Sequence, residues 1–539
     1  MITSGGVVKT AYRDGENMNI IEYIDLISRY GREEYFNQYG AIEEVLKNLE
    51  QVLENFAEEQ KNEVLEELIE KLIGKPEWVK IHLQSFCAKV GRNSKYTEEL
   101  LETVLRADDD AVGEYNKLSH YWQINTASFS DSQLKSENVE LLLAKLYYKL
   151  FCAFACAVDV HGRQYIPVWE RNKEKVFVFT SQVLELEHAP TKTLLDRCYI
   201  LQKYLHKDVT IINTAMEVPQ KGAAPFYELR SAVYLPELTE RTALEFKGET
   251  FKFHQCSDEM PNLNEIMYII DMVKEQKPYY MVDIGGSDIC ADICGMFVPQ
   301  ITISTVFSGT AISCGEYQII DKELTEHDKK ILDVLNVDPS CVKKARFTFS
   351  FKEQEHTYTR KELGLPEEKF ILFVVGARLD EEVDTEFLKT LECVLTQQEE
   401  IGVAFVGCFE AYEERIAGFS ALKRQSYNLG FQTDILAVIE CLDLYVNPKR
   451  HGGGSSVAEA LYKGVPAVTM PIGDVAVAAG TEFCVPDYNA MKEKILEYAE
   501  NKEFYRTMSC IAKNRAEELM DSYSGFGKMM EELEAEIER

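Results

Sequence analysis

The 539-residue chain is short of positive charge. Its 58 Lys and Arg stand against 90 Asp and Glu, a formal net charge of −32 at pH 7. Sequence-independent binding to DNA or RNA needs a basic surface, and attraction to anionic membranes needs basic clusters. Both are excluded as general modes, although a local basic cleft remains compatible with the balance. The 14 cysteines include no CxxC pair. Cys152/Cys156 and Cys290/Cys294 are four apart within apolar helical stretches, a spacing that suits buried thiols better than disulfides. A large acidic chain with unpaired thiols fits a reducing cytoplasm. No basic-then-apolar signal peptide opens the sequence. The most apolar run, Leu141 to Val160, is interrupted by Lys145 and Lys149, so it reads as a buried helix and not a membrane span. No 34-residue period marks tetratricopeptide repeats.

Hydrophobic residues make up 46% of the chain, enough to bury cores in about three domains. Residues 1–160 read as helices. Ile42 to Leu72 carries Val45, Leu46, Leu49, Val52, Leu53 and Phe56 near helical spacing, and Thr97–Leu105 and Asn138–Cys156 continue the style. Asp108, Asp109 and Asp110 read as a solvated turn between helices, the alternative being a metal-binding carboxylate cluster. From Lys175 the pattern changes. Strand Val176–Phe179, a loop from Thr180 to Thr191, helix Thr193–Leu205 and strand Val209–Ile212 form a βαβ unit, which implies a parallel sheet. Residues 220–258 carry no clear pattern. Helix Asn264–Glu275, strand Tyr279–Ile284, a helix capped by Ser287 and strand Gln300–Val306 complete an α/β domain over 161–345. Over 346–520 the sequence predicts a second: helix Arg360–Pro366, strand Phe370–Val375, a helix through Leu395, strand Ile401–Val406, helices Tyr412–Leu422 and Ile435–Cys441, and a helix from Met491 to Met520. Residues 521–539 form a charged terminal helix.

One stretch carries more chemistry than the rest. Strand Asp443–Val446 runs into Asn447-Pro-Lys-Arg-His-Gly-Gly-Gly-Ser-Ser456, which opens an apolar helix ending at Gly464. Free amides at a helix start, with the helix dipole behind them, attract an anion. Gly452, Gly453 and Gly454 let phosphate oxygens approach the backbone, and Ser455 and Ser456 can cap the helix or donate to the same oxygens. Glu459, one turn on, can accept from a ribose. Alone, the loop is also compatible with an ordinary glycine-rich βα connection.

Three segments resemble the GT-B nucleotide-sugar glycosyltransferases: Arg360 to Arg378; Leu429-Gly-Phe431 with Asp443–Pro448; and the glycine-serine loop through Glu459-Ala-Leu-Tyr-Lys-Gly-Val-Pro466. The resemblance spans roughly residues 170–520 and is specific in its last 90. Many retaining members carry a Glu eight residues before the one matching Glu459, where this chain has His451. The lysine that often follows the first arginine is absent, and Leu379–Asp384 is acidic. Ser455-Ser456 with Glu459, and Glu187-His-Ala-Pro-Thr191 after the first strand, instead resemble the branch of the protein O-GlcNAc transferases and the bacterial cytoplasmic N-glucosyltransferases. The implied fold is α/β: two Rossmann-like domains, acceptor-side 161–345 and donor 346–520, behind an all-α domain.

The resemblance implies a UDP-sugar as co-substrate, no metal or other cofactor, and His188 as catalytic base or acceptor contact. It implies donor contacts from Arg378, Lys449, His451, Gly453, Gly454, Ser455, Ser456 and Glu459, with Arg450 a further cation and Phe431 to Asp434 near the nucleobase. Arg378 can equally be a surface arginine. Gly286, Ser287 and Asp288 either line the acceptor side or form a structural βα turn. The expected activity is cytoplasmic transfer to Ser/Thr or Asn of a protein, with oligomerisation through the helical domain conceivable. A polysaccharide, lipid or small-molecule acceptor, or a non-catalytic role in a glycosylating complex, are the competing readings.

Overall fold

The computed structural model describes residues 11–13, 16–18, 39–107, 109–160, 164–185, 188–217, 233–305 and 309–538. Glu187, Asp108, Val306 and residues 220–232 of the unpatterned segment, all named above, lie outside them. A short hairpin, β1 (Ala11–Arg13) with β2 (Glu16–Met18), precedes six helices and adds a strand pair to a region read as wholly helical. The helices are α1 (Tyr39–Glu54), α2 (Glu58–Lys71), α3 (Glu77–Gly91), α4 (Ser94–Arg106), α5 (Asp109–Ser130) and α6 (Glu137–Ala157). Asp109 and Asp110 open α5; the sequence had suggested a turn there. Ser136 caps α6 by accepting from Val139 N–H at 3.1 Å, one of the amides a helix start leaves unpaired.

Next come β3 (Asn172–Thr180), α7 (Ala189–Lys203), β4 (Asp208–Asn213), β5 (Ala243–Phe246), β6 (Glu249–Gln255), α8 (Leu263–Gln276), β7 (Pro278–Ile284), α9 (Ile289–Cys294), β8 (Gln300–Ile303), β9 (Tyr317–Ile320), α10 (Glu326–Val334) and β10 (Val342–Lys344). They build one eight-stranded sheet in the order β10-β9-β8-β7-β3-β4-β6-β5, parallel except for edge strand β5. The part of 220–258 without a clear pattern is thus partly the hairpin β5–β6, whose alternating exposed residues gave no continuous apolar run.

Strand alternation explains the layers. In β3, Phe177 and Phe179 join a core shared with α1 to α6, while Val176 and Val178 face Leu194 and Leu195 of α7 and Phe526, Met530 and Leu533 near the C-terminus. The helical region therefore covers one face of the first sheet and shares its core. Buried polar pairs secure the contact: Tyr147 Oη donates to Asp292 at 2.6 Å, and the Tyr121 and Ser287 hydroxyls lie 2.6 Å apart.

The second sheet is β13 (Ser426–Gly430), β12 (Ile401–Gly407), β11 (Phe370–Gly376), β14 (Leu444–Val446) and β15 (Ala467–Val468), in that order and all parallel. Around it lie α11 (Leu379–Glu382), α12 (Thr385–Gln397), α13 (Tyr412–Ile416), α14 (Leu422–Gln425), α15 (Ile435–Ile439), α16 (Gly454–Tyr462), α17 (Gly473–Ala479), α18 (Tyr488–Glu500) and α19 (Lys502–Met520). Three expected helices are broken: Leu379–Leu395 at Val383–Asp384, Tyr412–Leu422 after Ile416, and Met491–Met520 at Asn501, whose side chain caps α19. Arg360–Pro366 is a series of turns and not a helix. There Arg360 donates to the carbonyls of Cys441, Glu367 and Lys369, contacts that hold an irregular backbone in place.

After α19 the chain returns to the first sheet. In α20 (Lys528–Ile537), Glu534 accepts from Lys207 at 2.8 Å and from Tyr280 Oη at 2.7 Å. Where the two sheet domains join, the buried Arg197 guanidinium lies between the rings of Phe347 and Phe526, 5.4 and 5.3 Å from their centres, and donates to Thr348 O at 3.0 Å. Among the described residues no helix is long and apolar enough to cross a membrane.

Candidate active site

The carboxyl ends of β3, β11 and β14 lead into the residues singled out from the sequence, the position where open parallel sheets gather ligand contacts. From β14 the chain passes through Asn447–Gly453 into α16. Gly453 has φ +98°, and a Cβ there would lie 2.8 Å from Asn447 Oδ1, so only glycine makes this turn without strain. The first intrahelical bond of α16 runs from Val457 N–H to Gly453 O at 3.0 Å. The amides of Gly454, Ser455 and Ser456 precede it and point out of the helix. Ser455 and Ser456 are half-buried and Gly454 is buried.

Arg378 follows β11 and flanks this loop: an added Cβ on Gly452 would lie 4.0 Å from its Nη2. Its guanidinium sits 5.5 Å from the ring centre of Phe129 on α5, so the helical region forms part of the same wall. Nη2 donates to Glu382 Oε1 at 3.2 Å. Arg450, four residues before α16, is buried, and its donors are taken by Asn447 Oδ1 (2.9 Å), Val375 O (2.6 Å), Tyr445 Oη (3.2 Å) and Glu382. It braces the loop, with four of its five N–H donors engaged inside the domain. Burial pushes the Glu382 carboxyl up, but Arg450 and Arg378 outweigh it and hold Glu382 below the usual carboxylate range. Lys449 is exposed, and its backbone amide donates to Tyr488 Oη at 3.1 Å. His451 is half-buried. Its carbonyl accepts from Asp474 N–H at 2.8 Å, and burial, with Lys135 nearby, lowers its pKa against the pull of Glu140.

On the opposite side, α7 starts one residue after His188, earlier than Thr193 as the sequence suggested, because Pro190 suits the first helical turn. His188 Nδ1 lies 3.1 Å from Thr191 Oγ1, which accepts from Leu184 N–H at 3.0 Å. With hydrogen on Nδ1, Thr191 accepts both bonds and the Nε2 lone pair is free. Burial, reinforced by Lys192, lowers the His188 pKa to about 4 and keeps the ring neutral.

The two sides meet in one ion pair. Lys192 Nζ, on the first turn of α7, donates to Glu459 Oε1 at 2.8 Å, with both side chains at or below 10% exposed. Lys192 and Glu382 were not legible as site residues, because each acquires its role from a partner far away in sequence. The Gly286–Asp288 turn lies deeper. Gly286 and Ser287 take φ of +78° and +59°. Ser287 is bound to Tyr121, and Asp288, not Ser287, caps α9 by accepting from Ala291 N–H at 3.0 Å, with Thr214 Oγ1 at 2.5 Å on its other oxygen. Phe431 is 61% exposed at the end of β13, while Asp434 is buried and accepts from the amides of Glu355 and His356. Among the described residues no group of three or more His, Cys, Asp or Glu is arranged to hold a metal ion.

The family model "Glycosyl transferases group 1" matches residues 356–515, which is the second sheet domain with the loop and α16. Among curated proteins none matches the chain. Among solved structures, a mutant of the O-GlcNAc transferase of Thermobaculum terrenum is similar over 97% of this chain and 98% of that one, at 12% identity and a TM-score of 0.53. A glycosyltransferase of Rickettsia africae ESF-5 is similar over 68% of this chain and 99% of its own, at 13% identity and a TM-score of 0.49. The HepE protein of Anabaena, in complex with UDP and glucose, is similar over 67% and 99%, at 11% identity and a TM-score of 0.46. The first of these likenesses is one of fold: a helical region followed by two parallel-sheet domains, over nearly the whole length of both chains.

Proposed function

Since residues 356–515 form a glycosyltransferase group 1 domain in a chain of GT-B fold, we propose that the protein moves a sugar from a UDP-sugar to a Ser/Thr or Asn side chain of a polypeptide, without a metal ion. The observation that carries this reading is the start of α16. Three helix-start amides and two half-buried serines follow one another there, Arg378 flanks the loop at Gly452, and Glu459 lies one turn further along. That arrangement suits a diphosphate followed by a ribose.

In this reading the acceptor oxygen or nitrogen forms a bond to the anomeric carbon as the bond to the diphosphate breaks. The helix end and Arg378 take up the charge on the leaving UDP, and His188 Nε2 receives the acceptor proton. A neutral ring is the form that can accept it, and the negative diphosphate raises the basicity that burial and Lys192 depress. The likeness of Ser455-Ser456, Glu459 and the His188 loop to the O-GlcNAc transferase branch supports a UDP donor and a protein acceptor. All 14 cysteines are free thiols, which fits the cytoplasm.

The acceptor is tested by incubating the full chain and labelled UDP-sugars with a cell lysate. Label that becomes small and soluble on protease digestion supports a protein acceptor. Label that resists protease and is extracted with lipid or glycan contradicts it.

A further inference from the structure

The positive charge beside the glycine-serine loop is largely spent within the donor domain. Arg450 is enclosed by Asn447, Val375, Tyr445 and Glu382, and Arg378 also donates to Glu382. A diphosphate placed on the amides of α16 would find Arg378 already half neutralised.

A second cation comes from the other side of the cleft. Lys192 Nζ lies 2.8 Å from Glu459 Oε1. Glu459 and Ser455 are four residues apart on α16, so they share one face and are separated by about 6 Å along the axis. Helical side chains lean towards the N-terminus, which directs the Glu459 carboxylate, and the ammonium bound to it, towards the end of α16 that carries the free amides. An ammonium has three N–H donors. One engages Glu459, leaving two for phosphate oxygens.

We propose that Lys192 is the cation that the acceptor-side domain contributes to the donor diphosphate, so that the phosphate site is assembled from both domains. Lys192, itself paired with Glu459, adds N–H donors from across the cleft to those of Arg378, and Glu459 holds it in place while also meeting the ribose. This rests on the nucleotide-sugar reading above. Its consequence is specific: Lys192 distinguishes a nucleoside diphosphate from the bare nucleoside.

The test compares the affinities of UDP and uridine for the full chain and for Lys192→Met, Lys192→Gln and Lys192→Arg, by calorimetry at one salt concentration. Wild type prefers UDP. The neutral variants lose about tenfold or more of that preference, the scale of a charge-assisted hydrogen bond, and Lys192→Arg keeps most of it. Because the readout is a ratio, any fraction of misfolded protein affects both ligands alike. An unchanged preference in the neutral variants, or equal losses for UDP and uridine, overturns the proposal and leaves Lys192 as an ion pair that closes the cleft. A wild-type chain that binds neither ligand, or does not prefer UDP, refutes the nucleotide-sugar reading and this proposal with it.

Discussion

Two arginines beside the same glutamate should respond to substitution in opposite ways. Arg450 is buried and bonded to Asn447, Val375, Tyr445 and Glu382; Arg378 is partly exposed, at 28% of its side chain, and shares Glu382 with it. Arg450→Met leaves the Glu382 carboxylate buried without its main partner and strips the loop of its brace. Breaking a buried ion pair on one side costs about 3–5 kcal/mol. For a domain of this size that lowers the thermal midpoint by roughly 10 °C. Arg378→Met leaves Glu382 paired with Arg450, so its stability cost stays within about 1 kcal/mol. The same change removes a cation from the diphosphate, worth about 1.5–3 kcal/mol, or roughly 10- to 150-fold in Kd for UDP. Differential scanning calorimetry and UDP titration on both variants read the two effects separately. An Arg450→Met protein with a wild-type midpoint and no UDP affinity would invert the assignment, making Arg450 the phosphate contact and Arg378 incidental.

Glu459→Ala removes the ribose acceptor and strands Lys192, so UDP affinity falls by about tenfold or more in the same titration. His188→Ala leaves UDP affinity unchanged and lowers the transfer rate. In wild type the acidic limb of kcat/KM, which reports the ligand-free enzyme, lies near pH 4, where His188 protonates, and not at the ordinary 6.5. A limb at the ordinary value would show that another group is the base. The same shift bears on stability. Between pH 6.5 and about 4 the unfolded chain takes a proton at His188 that the folded chain refuses, so stability from this group declines as pH falls through that window, as acid titration of the unfolding midpoint would show. Asp288→Ala removes the α9 cap and the bond from Thr214, costing about 1–2 kcal/mol of stability while UDP affinity stays at the wild-type value.

Local signals carried most of the fold. The apolar strands Val176–Phe179, Tyr279–Ile284 and Phe370–Val375 were visible as short runs, because parallel strands are buried on both faces. The glycine-serine loop was equally legible, since a strand, φ-permissive glycines and a capped helix are neighbours in sequence. Where long-range contacts decide, the reading departed from the structure. Arg360–Pro366 has a helical composition but is held in turns by bonds to distant carbonyls. Ser287 has a capping side chain, yet Tyr121 engages it and Asp288 caps the helix. The shared core of the helical region and first sheet, the Arg450–Glu382 pair and the Lys192–Glu459 contact join residues with no sequence proximity, so no local pattern announces them.

The most direct measurement of the central claim is UDP release from a panel of UDP-sugars by the purified full chain, with and without EDTA. The account predicts that at least one UDP-sugar is hydrolysed or transferred at a rate EDTA leaves unchanged, and that Arg378→Met and Glu459→Ala lower that rate at sub-saturating UDP-sugar by about tenfold or more. No UDP release and no UDP binding across the panel would contradict it and favour a non-catalytic role for the same fold.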